Sequence, residues 1–217
     1  VFVFDRNKIL QLIGVDVWRL RTQKDSPSDD TYKDSWVNLQ HEVQSCELCS
    51  LHKTRTQTVF GVGDSEANWL FIGEAPGMDE DLQGEPFVGR AGGLLNEMVF
   101  SIGLSRDKIF IANILKCRPP KNRDPLTSEV AQCLPYLERQ IQHIDPMIII
   151  AVGKVAAQNL LQTDKTMSQL RGQIHSFGAK KTPLVVIYHP AYLLRSPSQK
   201  FKAWEDLTLA KQAISKF

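Results

Sequence analysis

The chain has 217 residues, of which 42% are hydrophobic and 23% charged, and its formal net charge is +2. This balance is typical of a globular protein with one substantial core, and no apolar run reaches the roughly 20 residues that a membrane-spanning helix needs. With so small a net charge, composition does not indicate a nucleic-acid partner, and an argument for one depends on where positive residues cluster.

The N-terminal part differs in pattern from the rest of the chain. Residues 7–13 predict a short helix that ends at Gly14, residues 15–20 a short strand, and the polar residues 21–34 a flexible linker. We therefore predict an N-terminal appendage and linker over residues 1–34, with no assigned role, followed by one domain over residues 35–217. Ser35 can cap a first helix that carries Trp36.

Strands and helices are expected to alternate in the remaining chain. Short apolar runs at residues 69–72, 109–114, 147–152 and 184–188 are bounded by turn or polar residues, as buried parallel strands are. Between and after them, apolar residues recur at helical spacing in residues 91–102, 130–141, 153–161 and 201–214. This order predicts an α/β fold: a three-layer α/β/α domain with a central four-stranded parallel sheet.

Polar residues stand at the carboxyl end of each predicted strand. Glu74 follows the first run, Asn113 lies near the end of the second, Lys154 follows the third and His189 the fourth. Parallel strands end at one edge of a sheet, where ligands bind. Singly, such residues are commonly solvated or structural, but together at one edge they favour a functional site.

A glycine-rich loop lies between the first two predicted strands. Residues 84–93 open a helix, and their backbone amides with Arg90 suit a phosphate or a polarised oxygen. The loop lacks the Gly-Lys-Ser/Thr of a Walker loop, and Gly61 and Gly63 precede a strand, so the dinucleotide fingerprint is not met. Phe87 in this loop is either a packing residue or an exposed aromatic that stacks on a base.

Basic residues cluster after the second predicted strand. Lys116, Arg118, Lys121 and Arg123 flank a Pro-Pro pair at the same sheet edge. A solvated loop explains such a cluster, but its position favours contact with phosphates.

Four cysteines occur, with Cys46 and Cys49 in a C-x2-C pair and Cys117 and Cys133 farther along. We see no secretion signal, so they are better explained as metal ligands or buried thiols than as disulfides. Four thiolates suit zinc or an iron–sulfur cluster, and His52 could replace one of them at zinc. Spacing alone does not decide, and Cys133 also fits the apolar face of its helix.

Several motifs in order resemble those of the family 4, or iron–sulfur, uracil-DNA glycosylases of the uracil-DNA glycosylase superfamily. They are residues 73–77 (GEAPG), 84–92 (GEPFVGRAG), 113–120 (NILKCRPP) and 189–191 (HPA). The resemblance implies a parallel sheet flanked by helices and hydrolysis of the N-glycosidic bond of uracil in DNA, which initiates base excision repair. It also implies a structural [4Fe-4S] cluster held by Cys46, Cys49, Cys117 and Cys133, with zinc as the alternative.

The same resemblance implies roles for residues at the sheet edge. Phe87 would stack on uracil, Asn113 would bind its polar edge, His189 would hydrogen-bond O2, and backbone amides around Glu74 and Ala75 would contact the base. Sister families carry a water-activating carboxylate where this chain has Ala75.

Either Glu74, Glu80 or Asp81 supplies the missing negative charge, or the enzyme works with less of it. We favour Glu74 as the catalytic partner of His189. Residues 121–125 contain no histidine of the kind with which a related subfamily traps its product, which favours turnover.

Uracil-containing DNA is the expected partner of a monomeric, cytoplasmic protein that does not bind membranes. Residues 192–195 (YLLR) either begin a helix or wedge into the gap left by the displaced base. The expected DNA contacts are Arg90, Arg118, Lys121, Arg123, Lys154, Leu193, Leu194 and Arg195. Two other functions stay open: a metal-stapled DNA sensor without turnover, and a glycosylase for another deaminated base such as hypoxanthine.

Overall fold

The structure, a computed structural model, describes residues 35–214. The helix, strand and linker predicted within residues 1–34 lie outside the described residues, and the domain boundary there stays a prediction. Among the described helices, none combines the length and the apolar character needed to cross a membrane.

Eight α-helices are found in residues 35–214. They are α1 Trp36–Gln44, α2 Met78–Gln83, α3 Arg90–Ser101, α4 Thr127–Ile144, α5 Lys154–Leu161, α6 Met167–Leu170, α7 Pro190–Arg195 and α8 Lys200–Ile214. Short 3-10 turns cover Ser50–Lys53, Arg106–Lys108, Pro120–Asn122 and Pro197–Gln199. The predicted cap of α1 is confirmed, because the Ser35 side chain accepts a hydrogen bond from the Asn38 amide at 3.3 Å.

In the part of the chain that the structure describes, six strands form one sheet in the order β1-β3-β2-β4-β6-β5. They are β1 Val62–Gly63, β2 Trp69–Gly73, β3 Phe110–Asn113, β4 Ile148–Val152, β5 Ile174–Phe177 and β6 Thr182–Ile187. The inner pairings β3-β2, β2-β4 and β4-β6 are parallel, which confirms the predicted four-stranded parallel core.

The two edge strands were not predicted, and both pair antiparallel. Strand β1 has two residues, and β5 alternates exposed with partly exposed residues. Neither presents the continuous apolar run by which a buried strand is recognised in a sequence.

Helices cover both faces of the sheet. In β4, Ile149 and Ala151 point into a core shared with α1, α4 and α5, because successive strand residues face opposite sides. Ile148, Ile150 and Val152 point into a second core shared with α3 and α8. These two cores make the three-layer α/β/α arrangement, and they leave the carboxyl ends of the parallel strands at one edge.

Candidate active site

A cleft of about 470 Å³ opens at the carboxyl edge of the parallel strands. Glu74, Ala75, Phe87, Asn113 and His189, which lie far apart in the sequence, all line it. The parallel topology brings them together, as the strand-end pattern predicted.

Asn113 is the last residue of β3, and its side chain is only 2% exposed. Its Oδ1 atom is buried and, in the part of the chain that the structure describes, has no hydrogen-bond partner. A buried acceptor without a partner is costly, and most such groups in proteins are satisfied. The atom at the wall of this cleft is therefore suited to receive a donor from a ligand.

Gly73 makes room for this amide and was not recognised from the sequence. It pairs with Asn113 across β2 and β3. A Cβ atom built on Gly73 would overlap Asn113 Oδ1 and would come within 2.8 Å of the Phe87 ring. The only signal in the sequence was a glycine at the end of an apolar strand, where a close approach is one of several explanations.

Phe87 forms another wall of the cleft. Of the two interpretations left open for Phe87, the structure supports a packing residue, because the side chain is 7% exposed and packs in the α3 and α8 core. Its backbone adopts the left-handed region (φ 55°), and its carbonyl oxygen accepts a hydrogen bond from the Arg106 guanidinium. The ring centroid lies 5.6 Å from that of His189, with 31° between the planes. The Phe87 ring is therefore a fixed wall of the cleft, because Arg106 holds its backbone and the core holds its side chain.

His189 precedes α7 and caps it. Its Nδ1 atom accepts a hydrogen bond from the Ala191 amide at 3.1 Å. Burial, helped by the charge of Arg195 and opposed by that of Glu80, lowers the pKa of His189 to about 4. The ring is therefore neutral at pH 7, and because Nδ1 is an acceptor, its proton is on Nε2.

Two of the three candidate carboxylates are engaged by backbone amides. Glu80 accepts hydrogen bonds from the amides of Gly77, Val88 and Gly89 at 3.0–3.2 Å. Asp81 is buried, and both of its oxygens accept from the Thr56 amide. Glu80 thus orders the loop between α2 and α3, whereas Asp81 ties α2 to the segment before β1.

Glu74 is the third candidate and lines the cleft. Within residues 35–214 its carboxylate accepts no hydrogen bond, so it is available to a ligand or a water. Burial, together with the charge of Asp124, raises the pKa of Glu74 to about 7. It can therefore gain or lose a proton in the physiological range, as groups at functional sites often do.

Residues predicted to contact phosphates lie in different environments. Arg123 lines the cleft, but its guanidinium binds both oxygens of buried Glu129, at 2.9 and 2.6 Å. Arg118 donates to Asn122 Oδ1 at 2.7 Å, and Lys121 is exposed. Of these three, Lys121 has the most accessible charge.

Lys116 does not belong to the exposed basic cluster, contrary to the prediction. Its side chain is 1% exposed, and Nζ donates to the Asn113 carbonyl at 2.9 Å and to the Gln140 side chain. Gln140 donates in turn to the Phe60 carbonyl at 3.0 Å. Lys116 therefore supports the backbone of Asn113 from inside the protein.

The segment after His189 is a helix, α7, and only part of it faces outward. Leu193 is fully buried at 0% exposure, so the predicted contact of this residue with DNA is wrong for this structure. Leu194 is exposed, and Arg195 lines the cleft. Lys154 lines an adjoining cleft, and Arg90 is exposed at the start of α3.

All four cysteines line another, narrow cleft. The Cys117 sulfur accepts a hydrogen bond from Arg55 at 3.1 Å, and the Cys133 sulfur accepts one from the Lys116 amide at 3.2 Å. Across residues 35–214, no group of three or more His, Cys, Asp or Glu side chains is arranged to hold a single metal ion. His52 also lines this cleft, and its Nδ1 lies 2.7 Å from the Cys49 carbonyl.

Comparison with known proteins agrees with this site. A model of the uracil DNA glycosylase superfamily matches residues 60–208. The type-4 uracil-DNA glycosylase of Archaeoglobus fulgidus is 48% identical over 170 residues, which cover 76% of this chain and 85% of that protein. Those of Saccharolobus solfataricus and Sulfurisphaera tokodaii are 42% and 41% identical, over 80% of this chain and 84% and 82% of theirs. The chain therefore belongs to the uracil-DNA glycosylase superfamily and, within it, to the type-4 family.

Proposed function

We propose that this chain is a monofunctional uracil-DNA glycosylase, which hydrolyses the N-glycosidic bond of uracil in DNA and so initiates base excision repair. The observation that carries the proposal is the buried, unpartnered Oδ1 of Asn113 in a cleft shared with Phe87 and a neutral His189. The type-4 relatives support the same activity.

Uracil matches the polar groups of this cleft. Its N3–H donates to Asn113 Oδ1, and its O4 accepts from the amide nitrogen of the same side chain. The Phe87 ring packs against the face of the base. Close packing of Asn113 against Gly73 supports one fixed orientation of the amide, which is needed because a freely rotating amide would match cytosine as well.

Bond cleavage separates charge between the base and the sugar. The C1′–N1 electron pair leaves with the base, so negative charge develops on uracil O2, where His189 Nε2–H donates a hydrogen bond without giving up its proton. The Glu74 carboxylate stabilises the oxocarbenium-like sugar and orients a water. That water adds to C1′ and gives its proton to Glu74, which leaves an abasic site and the uracil anion. The anion then takes a proton from the solvent.

The target base must leave the DNA stack to enter the cleft, which costs a few kcal/mol. We propose that Arg90, Arg118, Lys121, Lys154 and Arg195 contact the backbone, and that Leu194 helps to fill the gap. Arg123 has its charge matched by Glu129, so we propose that it shapes the loop and contacts DNA secondarily.

We propose that Cys46, Cys49, Cys117 and Cys133 hold a [4Fe-4S] cluster. Four thiolates would suit a zinc ion or an iron–sulfur cluster. All four thiols line one cleft, and the resemblance of the motifs to the iron–sulfur family favours the cluster over zinc.

The hydrogen bonds to the Cys117 and Cys133 sulfurs also suit thiolate ligands. When bound, the cluster supplies a crosslink between distant segments. Hydrolysis of a glycosidic bond needs no electron transfer, so we assign the cluster a structural role. Anaerobically purified protein should be brown and contain about four irons per chain, and zinc without iron would refute this assignment.

Release of free uracil from labelled DNA by the purified protein tests the proposed activity directly. A sensor without turnover would bind the DNA and release nothing, and the same assay with hypoxanthine-containing DNA tests the third function. We also propose a monomer that acts in the cytoplasm, and light scattering of the purified protein tests the monomer.

A further inference from the structure

A second cleft adjoins the uracil site, with about 680 Å³ of non-protein space. Lys154, Tyr188 and Tyr192 line it, and His189 lines both clefts. The proposed catalytic donor is therefore a wall common to both clefts.

The two tyrosine rings that line this second cleft are held in place by contacts with each other and with Arg171. The ring centroids of Tyr188 and Tyr192 lie 5.0 Å apart, with 37° between their planes. The Arg171 guanidinium lies on the Tyr188 ring, with its carbon 4.5 Å from the centroid. Such a cation–π contact is stronger where the cation is removed from water, and the Arg171 side chain is largely buried.

Arg171 is fixed in turn by Asp206. The Nε atom of Arg171 donates to Asp206 Oδ2 at 2.7 Å, and the other carboxylate oxygen accepts from the Gly172 amide at 3.1 Å. Asp206 is buried in α8. A chain of contacts thus runs from Asp206 through Arg171 and Tyr188 to Tyr192, whose side chain is 36% exposed. A ring held in this way loses little conformational entropy when a ligand stacks on it.

The chemistry of the cleft indicates what it binds. Two aromatic rings offer a surface for a flat, unsaturated ring, and the exposed Lys154 ammonium at the rim suits an anion. Among the lining residues within 35–214, none is acidic. Aromatic stacking next to positive charge is how proteins hold single-stranded nucleic acids without reading their sequence.

We propose that this cleft binds the base next to the target uridine, in single-stranded DNA, with Tyr192 stacked on the base and Lys154 on its phosphate. The inference rests on the proposed function, because the uracil site places the DNA strand beside the cleft. In a duplex the neighbouring base is already stacked and paired, so its transfer to the cleft costs further unstacking. The cleft therefore favours single-stranded substrates.

Binding of a single-stranded oligonucleotide that carries a non-hydrolysable uridine analogue tests the proposal without turnover. We expect Tyr192→Ala to bind about tenfold more weakly, the effect of one lost base–aromatic stack. Tyr192→Phe should bind as the wild type does, because it keeps the ring. Duplex DNA with the same analogue should show a much smaller loss. Alanine preserves the helical propensity of α7, so its fold is retained.

A second measurement identifies the partner of Tyr192. An abasic spacer is placed in turn at the position before and at the position after the analogue. At one of these two positions the spacer should weaken binding by the wild type about tenfold, as Tyr192→Ala does. In the Tyr192→Ala protein the same spacer should not weaken binding further, because both changes remove the same interaction. Phe100→Ala is the matched control, because Phe100 is a 74% exposed aromatic near the far end of α3.

Equal binding of Tyr192→Ala and wild type, or no effect of a spacer at either position, would overturn the inference. A wild-type protein that binds the oligonucleotide but releases no uracil from a cleavable substrate would instead refute the proposed function. The two failures are distinguishable because one is measured by binding and the other by product.

Discussion

The Ala191 amide donates to His189 Nδ1 at 3.1 Å, so one hydrogen bond both caps α7 and selects the tautomer of the histidine. With Nδ1 engaged as an acceptor, the ring proton is on Nε2, the nitrogen left to serve a ligand in the cleft. Local helix capping and the chemistry of the site are thus served by the same side chain.

The first prediction separates these two roles of His189. Asparagine at this position keeps an acceptor for the Ala191 amide but loses the Nε2–H donor. We expect both His189→Asn and His189→Ala to lower single-turnover cleavage by about 10²–10³, with little change in DNA affinity. Only His189→Ala should lose the cap, at about 1 kcal/mol of unfolding free energy in denaturant titrations. Equal losses of affinity and cleavage would make His189 a binding residue.

The second prediction concerns pH. The pKa of Glu74 is raised to about 7 and that of His189 lowered to about 4. If Glu74 acts as a carboxylate, kcat/KM should rise as the pH passes through about 7, and His189, neutral throughout that range, should add no step there. Glu74→Gln should be slow and should lose the step. A step retained in Glu74→Gln would assign it to another group.

The ionisation of Glu74 should affect stability in the opposite direction: the free energy of unfolding should fall as the pH rises, whereas kcat/KM should rise. The pKa of Glu74 in the folded protein is above the usual 4.5, so the folded state binds the proton more tightly than the unfolded state does. The stabilisation is complete below the unfolded pKa and is lost as the pH rises through about 7. Urea titrations of wild type and Glu74→Gln across this range measure it, and a parallel pH dependence in the two proteins would contradict the assignment.

The third prediction concerns base identity at Asn113. Asn113→Asp removes the donor to uracil O4 and offers an acceptor to the cytosine amino group. We expect loss of most uracil release and a gain of some cytosine release, measured with oligonucleotides that differ in this base. Thymine should still be refused, since its methyl group is excluded by shape. Normal uracil release by Asn113→Asp would make Asn113 a structural residue.

The fourth prediction uses Gly73, which the sequence did not single out. A Cβ atom there would overlap Asn113 Oδ1 and crowd the Phe87 ring. Gly73→Ala should therefore displace both groups and lower kcat/KM for uracil. Gly93→Ala is the matched control, because a Cβ there has no heavy atom within 4 Å. An active Gly73→Ala protein would show that the cleft tolerates the displacement.

The fifth prediction distinguishes two basic residues of one loop. Lys121 is exposed, so Lys121→Gln should weaken binding of any DNA sequence and flatten its dependence on salt by about one unit of slope. Arg123 binds the buried carboxylate of Glu129, so Arg123→Gln should mainly lower stability, because it leaves that charge without its partner. Binding isotherms at several salt concentrations and thermal unfolding separate the two effects. Identical salt slopes in wild type and Lys121→Gln would remove Lys121 from the interface.

Hydrophobic patterning was enough to predict the four parallel strands and to predict that the site residues lie close together. The apolar runs are long enough to be recognised as buried strands, and parallel strands necessarily end at one edge, so Glu74, Asn113 and His189 had to converge. The short edge strands carry no such pattern and appear only in the structure.

The burial and the hydrogen-bond partners of each side chain at that edge could be known only from the folded chain. Lys116 is buried because Gln140, from a distant helix, accepts from it, and the charge of Arg123 is matched because Glu129 is buried beside it. Glu74 was distinguished from Glu80 by the backbone amides that fold around the latter. Burial and hydrogen bonding depend on groups that come close only in the folded chain, whereas periodicity reports the environment of a whole element and not that of one side chain.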